Sequence, residues 1–471
     1  MSSINALVVG AGPNGLAAAI TLARAGRRTL VLEAANAPGG GLRSEALTRP
    51  GFVHDVCSAI HPLAALSPFF RSLDLARHAV KWVRSPAALA HPVDGGTVLL
   101  ERSVEATAAR LSVDRDAYRR LMAPLVAAWP ELADDLLAPP HVPAHPLRLA
   151  RFAAVGLRSA RGLALHAFHG QRARALFAGL AAHAIMPLDA PPTAAFALVL
   201  AATGHSVGWP FPAGGTGRLA NALADELRLL RGELRLGEPV ASLDDLPPAR
   251  VVLLDVAPRQ AAALAGKRLS APSRRRLRAY RYGPGVFKID WALDGPTPWL
   301  DPACARAATV HLGGSMDEIA TAEQAVWRGE HPARPFVIFA QPSLFDPTRA
   351  PAGHHTAWAY CHVPAYSTED MTERIEAQVE RYAPGFRDRI IARHTANTAD
   401  LEARNSNLVG GHIAGGIQDL RQIFRRPTLR HPYRLARGLY LCSASTPPGP
   451  GVHGLCGMFA ARAALRSTGA R

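Results

Sequence analysis

The stretch Ala6-Leu7-Val8-Val9-Gly10-Ala11-Gly12-Pro13-Asn14-Gly15 decides the fold. Its four consecutive apolar residues read as a parallel strand buried on both faces. Three glycines at G-x-G-x-x-G spacing follow, then an Ala- and Leu-rich helical run to Ala25, stopped by Gly26. Thr29-Leu30-Val31-Leu32 is the second strand, and it ends on Glu33. Strand, glycine turn, helix, strand and acid make a βαβ unit, the context in which this spacing binds a dinucleotide. Gly10 makes the tight turn, Gly12 lets backbone approach a pyrophosphate, and Gly15 lets the helix sit close to the sheet. Pro13 and Asn14 open the helix, whose free amides and dipole suit phosphate. Glu33, with Ala34 beside it, stands where ribose hydroxyls are read.

The chain has 471 residues, 48% hydrophobic and 19% charged. That is a globular composition with room for more than one core, since single cores stop growing at roughly 250–300 residues. The formal net charge is +16, yet only Lys81, Lys267 and Lys288 among the 53 basic residues are lysine. The arginine excess suits either a compositional habit or a surface that attracts anionic lipid or an acidic partner. Nucleic acid is not expected, because zinc spacing and a ribonucleoprotein motif are missing. In the stretch 147–180, Arg148, Arg151, Arg158, Arg161, Arg172 and Arg174 are interleaved with Leu, Phe and Ala. This is the make-up of an interfacial membrane helix or of a solvated helix pair. Cys57, Cys304, Cys361, Cys442 and Cys456 form no C-x-x-C pair and no metal-ligand spacing, so no metal and no disulfide framework are expected. The first strand begins too early for a secretory signal, and no run of ~18 apolar residues spans a bilayer. A cytoplasmic protein is expected, with peripheral membrane contact as the added option.

From about residue 71 to 231 the texture changes to Ala/Leu/Arg helices broken at Pro139-Pro140 and Pro191-Pro192. Strand-like runs return at 251–254, 286–291, 336–340 and 439–441. The last of these has the character of the first unit, so one domain closes from both chain ends around an inserted second one. The expected division is 1–85, 212–280 and 430–471 for nucleotide binding, and 86–211 and 281–429 for the substrate.

Two further segments carry a family resemblance. Beyond Glu33 comes Ala37-Pro38-Gly39-Gly40-Gly41-Leu42-Arg43-Ser44, a glycine cluster closed by an arginine. Near the C-terminus, Cys442-Ser443-Ala444-Ser445-Thr446-Pro447-Pro448-Gly449-Pro450-Gly451-Val452-His453-Gly454 leads into a helix expected at 454–465. Both resemble the phytoene-desaturase and amine-oxidase class of flavoproteins, with Ser443 and Ser445 standing where that class has glycines. The resemblance implies an α/β fold, a discontinuous Rossmann-type FAD-binding domain with an inserted α+β substrate-binding domain. It implies noncovalent FAD, since no Cys stands in a flavin-attachment motif. Gly40, Gly41 and Leu42 would line the cofactor, and Arg43 would neutralise its phosphates bidentately. Ser443, Val452 and His453 would contact the flavin, and the terminal helix would stabilise negative charge on its N1/C2=O side. Gly51-Phe52-Val53-His54-Asp55 would lead toward the flavin and 211–217 would return the chain to the FAD domain. A strand at 236–240 would place the Val240 backbone on the adenine.

With FAD present, the reaction is hydride transfer between substrate and flavin N5. The other G-x-G-x-x-G, Gly449-Pro450-Gly451-Val452-His453-Gly454, lies in the Pro/Gly loop and not in a strand-helix-strand unit, so no NAD(P)H domain is evident and O2 or a quinone is the expected electron acceptor. The loop Gly451-Val452-His453-Gly454-Leu455-Cys456 has no Tyr or Trp, where amine-oxidase members carry an aromatic. That favours desaturation or saturation of an apolar substrate, isoprenoid or polyene in kind. A flavin amine oxidase and a non-catalytic binding protein on the same fold stay as alternatives. Lys288, in Val286-Phe287-Lys288-Ile289-Asp290-Trp291, resembles the amine-oxidase lysine that holds a water against N5; it shares a strand face with Asp290 and could pair with it instead. His61 and His453 are candidate proton carriers, the reference pKa of histidine lying near 6.5, or else are satisfied by backbone. His412 falls where the class lines its substrate channel.

Overall fold

The computed structural model describes residues 4–428 and 431–467; the expected domain boundary at residue 430 lies outside them. Two large sheets, of six and seven strands, are built from β1 (Ala6–Val9), β2 (Thr29–Leu32), β3 (Ala87–Val93), β4 (Gly96–Glu101), β5 (Glu233–Arg235), β6 (Val251–Leu254), β7 (Gly285–Leu293), β8 (Ala307–Leu312), β9 (Val337–Ala340), β10 (His355–Val363), β11 (Ile390–Ala396), β12 (Arg434–Ala436) and β13 (Leu439–Leu441). Helices around them include α1 (Pro13–Arg24), α2 (Pro146–Gly156), α3 (Ala160–Ala167), α4 (Gln171–Ala182), α5 (Thr193–Ser206), α6 (Gly217–Leu229), α7 (Met316–Trp327) and α8 (Leu455–Ser467).

The first sheet runs β12-β13-β6-β1-β2-β5, parallel except for β12 against β13. Strands from both chain ends therefore meet in one sheet, as an α/β fold of the expected class requires. All residues of β1, β2 and β6 are buried, because helices cover the sheet and a strand closed on both faces needs apolar side chains throughout. One covering layer is α1 with α6 and α8. Leu219, Leu223 and Leu227 recur every four residues on α6 and are fully buried. A Cβ on Gly457 of α8 would fall 1.8 Å from the Asn14 carbonyl, so only glycine lets α8 press against the start of α1.

The second sheet runs β11-β7-β10-β9-β8-β3-β4, antiparallel except for β3 against β8. Alternation divides its faces. Phe287, Ile289, Trp291, Ala357, Ala359 and Cys361 point into one core. The other face carries Val286, Lys288 and Asp290 on β7, paired with His362, Tyr360 and Trp358 on β10.

Three expectations change. The β3–β4 hairpin interrupts the stretch read as helical, and its signal, Asp94-Gly95-Gly96 between apolar runs, is a hairpin turn. The strand expected at 236–240 lies at 233–235. Beyond it the Gly237 and Glu238 amides turn to the Ala35 and Glu33 carbonyls, and Pro239 has no amide to donate. The arginine-rich stretch is only partly surface. Ala173, Leu176, Phe177 and Leu180 of α4 are buried, while Arg172 and Arg174 donate to the carbonyls of Gly95 and Phe168. Leu147, Leu157 and Leu165, on and beside α2 and α3, remain exposed. Among the described residues no helix is long and apolar enough to cross a membrane.

Three loops are locked by one buried arginine. Arg349, fully buried, donates to Asp55 (2.8 Å), Asp346 (2.9 Å) and the Pro212 carbonyl (3.2 Å). Asp55 also accepts from Ser44 Oγ (2.7 Å) and from the Thr216 amide (2.8 Å) and hydroxyl (2.9 Å). Burial alone would raise the Asp55 carboxyl; Arg349 and these donors outweigh it and hold its pKa below the ordinary value. Removing one member of such a network strands the other charges without solvent. Arg349→Met is expected to cost about 3–5 kcal/mol of stability, read as a fall in denaturation midpoint. An unchanged midpoint would contradict this account.

Candidate functional site

The C-terminal ends of β1, β2, β6 and β13 converge, and most of the motif residues gather there. Gly10 has φ of +99°, and a Cβ on Gly15 would fall 2.1 Å from the Gly10 carbonyl. The turn between β1 and α1 is thus closed by backbone alone. Gly12 is the N-cap of α1 with Pro13 after it, which spares an amide that would have no helical partner. Glu33, at the end of β2, accepts from the Ala11 amide (2.7 Å) and the Ala35 amide (3.0 Å), bracketing Ala34.

The second glycine segment lies across this turn. The Gly39 amide donates to the Ala11 carbonyl (2.8 Å), and a Cβ on Gly40 would sit 3.2 Å from Gly12 Cα. Leu42 is fully buried, and Arg43 donates to the carbonyls of Gly40 (3.1 Å) and Arg404 (3.3 Å). Cys57 borders Gly41, whose Cβ would be 3.9 Å from Sγ; burial raises its thiol pKa, while Lys288 and Arg43 oppose that rise.

The C-terminal loop arrives from β13. Ser443 Oγ and Asn14 Oδ1 are buried without a hydrogen-bond partner among the described residues. His453 Nδ1 accepts from the Leu455 amide at the start of α8 (3.0 Å), and Nε2 bonds the Gly449 carbonyl (3.1 Å). Both ring nitrogens are therefore engaged, and burial lowers the pKa to about 4. Val452 packs on the α1/α8 core, and Val240 packs on the opposite side of the sheet, beyond the end of β5. His61 donates its backbone amide to the Pro210 carbonyl (2.8 Å); burial lowers its ring to about 4, and Nε2 has no partner.

Lys288 comes from the second sheet. It pairs with Asp290 and lies 5.6 Å from the centre of the Trp358 ring, with His54 Nδ1 3.6 Å from the same carboxylate. Trp358 and Tyr360 stack, 6.0 Å apart and 8° from parallel. His412 donates Nδ1–H to the Pro284 carbonyl (2.7 Å).

Sequence reasoning missed Asp255, directly after β6. Its Oδ2 accepts from the Gly15 amide (2.7 Å) and would lie 2.7 Å from a Cβ on Gly12. Burial raises its pKa to about 7; the Gly15 bond opposes this and the Glu33 charge adds to it. The available signal was an acid at the end of a strand neighbouring the glycine turn. Among the described residues no group of His, Cys, Asp and Glu is arranged to hold a metal.

Comparison with known proteins places this geometry. The NAD(P)-binding Rossmann-like domain family matches residues 8–73. The chain is 28% identical to the phytoene dehydrogenase of Streptomyces griseus, over 95% of its own length and 92% of that protein. It is 27% identical to pyridine nucleotide-disulfide oxidoreductase domain-containing protein 2 of Rattus norvegicus, over 98% and 93%. The cyclohexylamine oxidase of Brevibacterium oxydans superposes with a TM-score of 0.62 at 15% identity, covering 99% of this chain and 100% of that one. The chain is an oxidoreductase, similar in sequence to a phytoene dehydrogenase and in fold to an amine oxidase. In this oxidoreductase, glycine backbone and a helix N-terminus form a nucleotide cradle of the Rossmann type.

Asp255 makes the cradle pH-sensitive. Its folded pKa of about 7 is raised above the ordinary 3.8, so its contribution to stability is complete below about pH 4 and lost as pH rises toward 7. Asp255→Asn keeps an acceptor for Gly15 without the charge. The cofactor-free variant is expected to match wild type at pH 4 and exceed it at pH 8 by about 1–3 kcal/mol. Parallel stability curves across that range would show that the carboxyl is not under this strain.

Proposed function

We propose that this oxidoreductase binds FAD noncovalently and moves hydride between a largely apolar substrate and flavin N5, in phytoene-desaturase-like desaturation or saturation of a C–C bond. The crossing of the two glycine segments carries the reading. Backbone free of side chains on both sides suits a diphosphate, with Arg43 held beside it. Glu33 would hold the ribose. Ser443, Val452 and the amides opening α8 would meet the flavin, and the unpartnered Ser443 Oγ and Asn14 Oδ1 are polar atoms that fit such a ligand. FAD would supply the hydride chemistry; the chain's residues bind it, orient it and exclude water. O2 or a quinone would be the second electron partner. The division at 1–85, 212–280 and 430–471 against 86–211 and 281–429 follows the two sheets and is proposed on that ground.

Amine oxidation is the second reading. The observation favouring it is the stacked Trp358–Tyr360 pair, an aromatic wall that the C-terminal loop lacks.

Glu33→Ala and Arg43→Ala are each expected to purify largely without FAD, read as the ratio of flavin to protein absorbance. Full occupancy in either variant removes the role given to that residue. Lys288→Met separates the two roles of this lysine. If Lys288 holds a water at N5, the variant keeps FAD but reoxidises in O2 at least tenfold more slowly after chemical reduction. A lower denaturation midpoint with an unchanged reoxidation rate would leave only the ion pair with Asp290.

A further inference from the structure

On the second sheet, Trp358, Tyr360 and His362 follow one another along one face of β10. Trp358 stacks on Tyr360, and the Tyr360 ring centre lies 5.9 Å from that of His362. The row begins beside Lys288. At its far end His362 Nδ1 lies 2.8 and 2.9 Å from the two carboxylate oxygens of Glu323 on α7, both residues being almost fully buried. A carboxylate facing Nδ1 draws the ring proton there, so in the neutral imidazole Nε2 is a bare acceptor. That nitrogen is buried and has no partner among the described residues.

Two neighbouring imidazoles also have unpartnered nitrogens, but theirs are closed off. A Cβ on Gly179 would fall 2.7 Å from His311 Nδ1 and 2.9 Å from His91 Nδ1, so α4 presses directly on both. No described glycine stands against His362 in this way. A buried acceptor is costly until something donates to it.

We infer that His362, positioned by Glu323, is the docking point for a hydroxyl on an otherwise apolar substrate, whose body lies along Tyr360 and Trp358. The inference rests on reading this face as the substrate side of the FAD site. A hydrocarbon offers Nε2 no donor. An alkylammonium would need a free carboxylate, and the two on this face are already held, Glu323 by His362 and Asp290 by Lys288.

The test is calorimetric titration of the purified holoprotein at pH 8 with benzyl alcohol, toluene, benzylamine and benzoate. Benzyl alcohol is expected to bind at least tenfold more tightly than toluene and more tightly than the two ions. His362→Phe is expected to level alcohol and toluene while keeping toluene affinity. Glu323→Gln, which still accepts from Nδ1, keeps the preference, and Glu323→Leu loses it. Equal binding of alcohol and toluene, tighter binding of either ion, no binding of the alcohol, or a preference that survives in His362→Phe overturns the inference. A colourless protein that still prefers the alcohol would instead overturn the FAD reading alone.

Discussion

The buried charge network around Arg349 is the constraint on which the rest of the molecule depends. Its members come from places far apart in sequence: Asp55 follows the second glycine segment, Pro212 and Thr216 lead into α6, and Asp346 and Arg349 follow β9 of the other sheet. A lone guanidinium or carboxylate in that interior would carry a desolvation cost of several kcal/mol, so each loop is held in place only while the other two are present. The same Asp55 bonds Ser44, one residue beyond Arg43. The position of Arg43 over Gly40 is thereby coupled to the register between the two sheets.

Close backbone approach is the second constraint, and it works at shorter range. Gly15 meets the Gly10 carbonyl and Gly457 meets Asn14 at distances that leave no room for a methyl group, and Gly40 meets Gly12 with little to spare. Into that crowded turn the chain places Asp255, whose carboxyl takes the Gly15 amide. A carboxylate and a phosphate compete for the same helix N-terminus, because both are anions seeking the same amides and dipole. The raised pKa of Asp255 eases this conflict, since the protonated acid repels neither Glu33 nor a phosphate.

How much of this was legible in the sequence follows from the range of the interactions. The βαβ unit, the cradle glycines and β6, β7 and β13 are local patterns, written in adjacent residues. The β3–β4 hairpin was written locally too, at Asp94-Gly95-Gly96, but lay inside a stretch whose overall composition spoke for helix. The strand at β5 was misplaced by a few residues because its end is set by where the Gly237 and Glu238 amides find carbonyls on another loop. Asp255, Arg349 and the His362–Glu323 pair were not legible at all. Each draws its meaning from a partner between 39 and 294 residues away, and a single buried acid or arginine in sequence looks like a surface charge.

His453, singled out from sequence, and His362, which was not, show how the fold assigns chemistry. A histidine beside a cofactor loop has the composition of a proton carrier, yet His453 spends both nitrogens on backbone and serves as a helix cap. His362 had no motif around it, but the fold gives it a carboxylate behind and leaves its other nitrogen without a partner. Reactivity in an imidazole depends on one nitrogen being oriented and the other left unpaired. Sequence reports that an imidazole is present; only tertiary structure decides which of its nitrogens is unpaired. The proposed substrate contact therefore depends on the face of the second sheet, where that decision is made for His362, as the proposed cofactor site depends on the glycine turns.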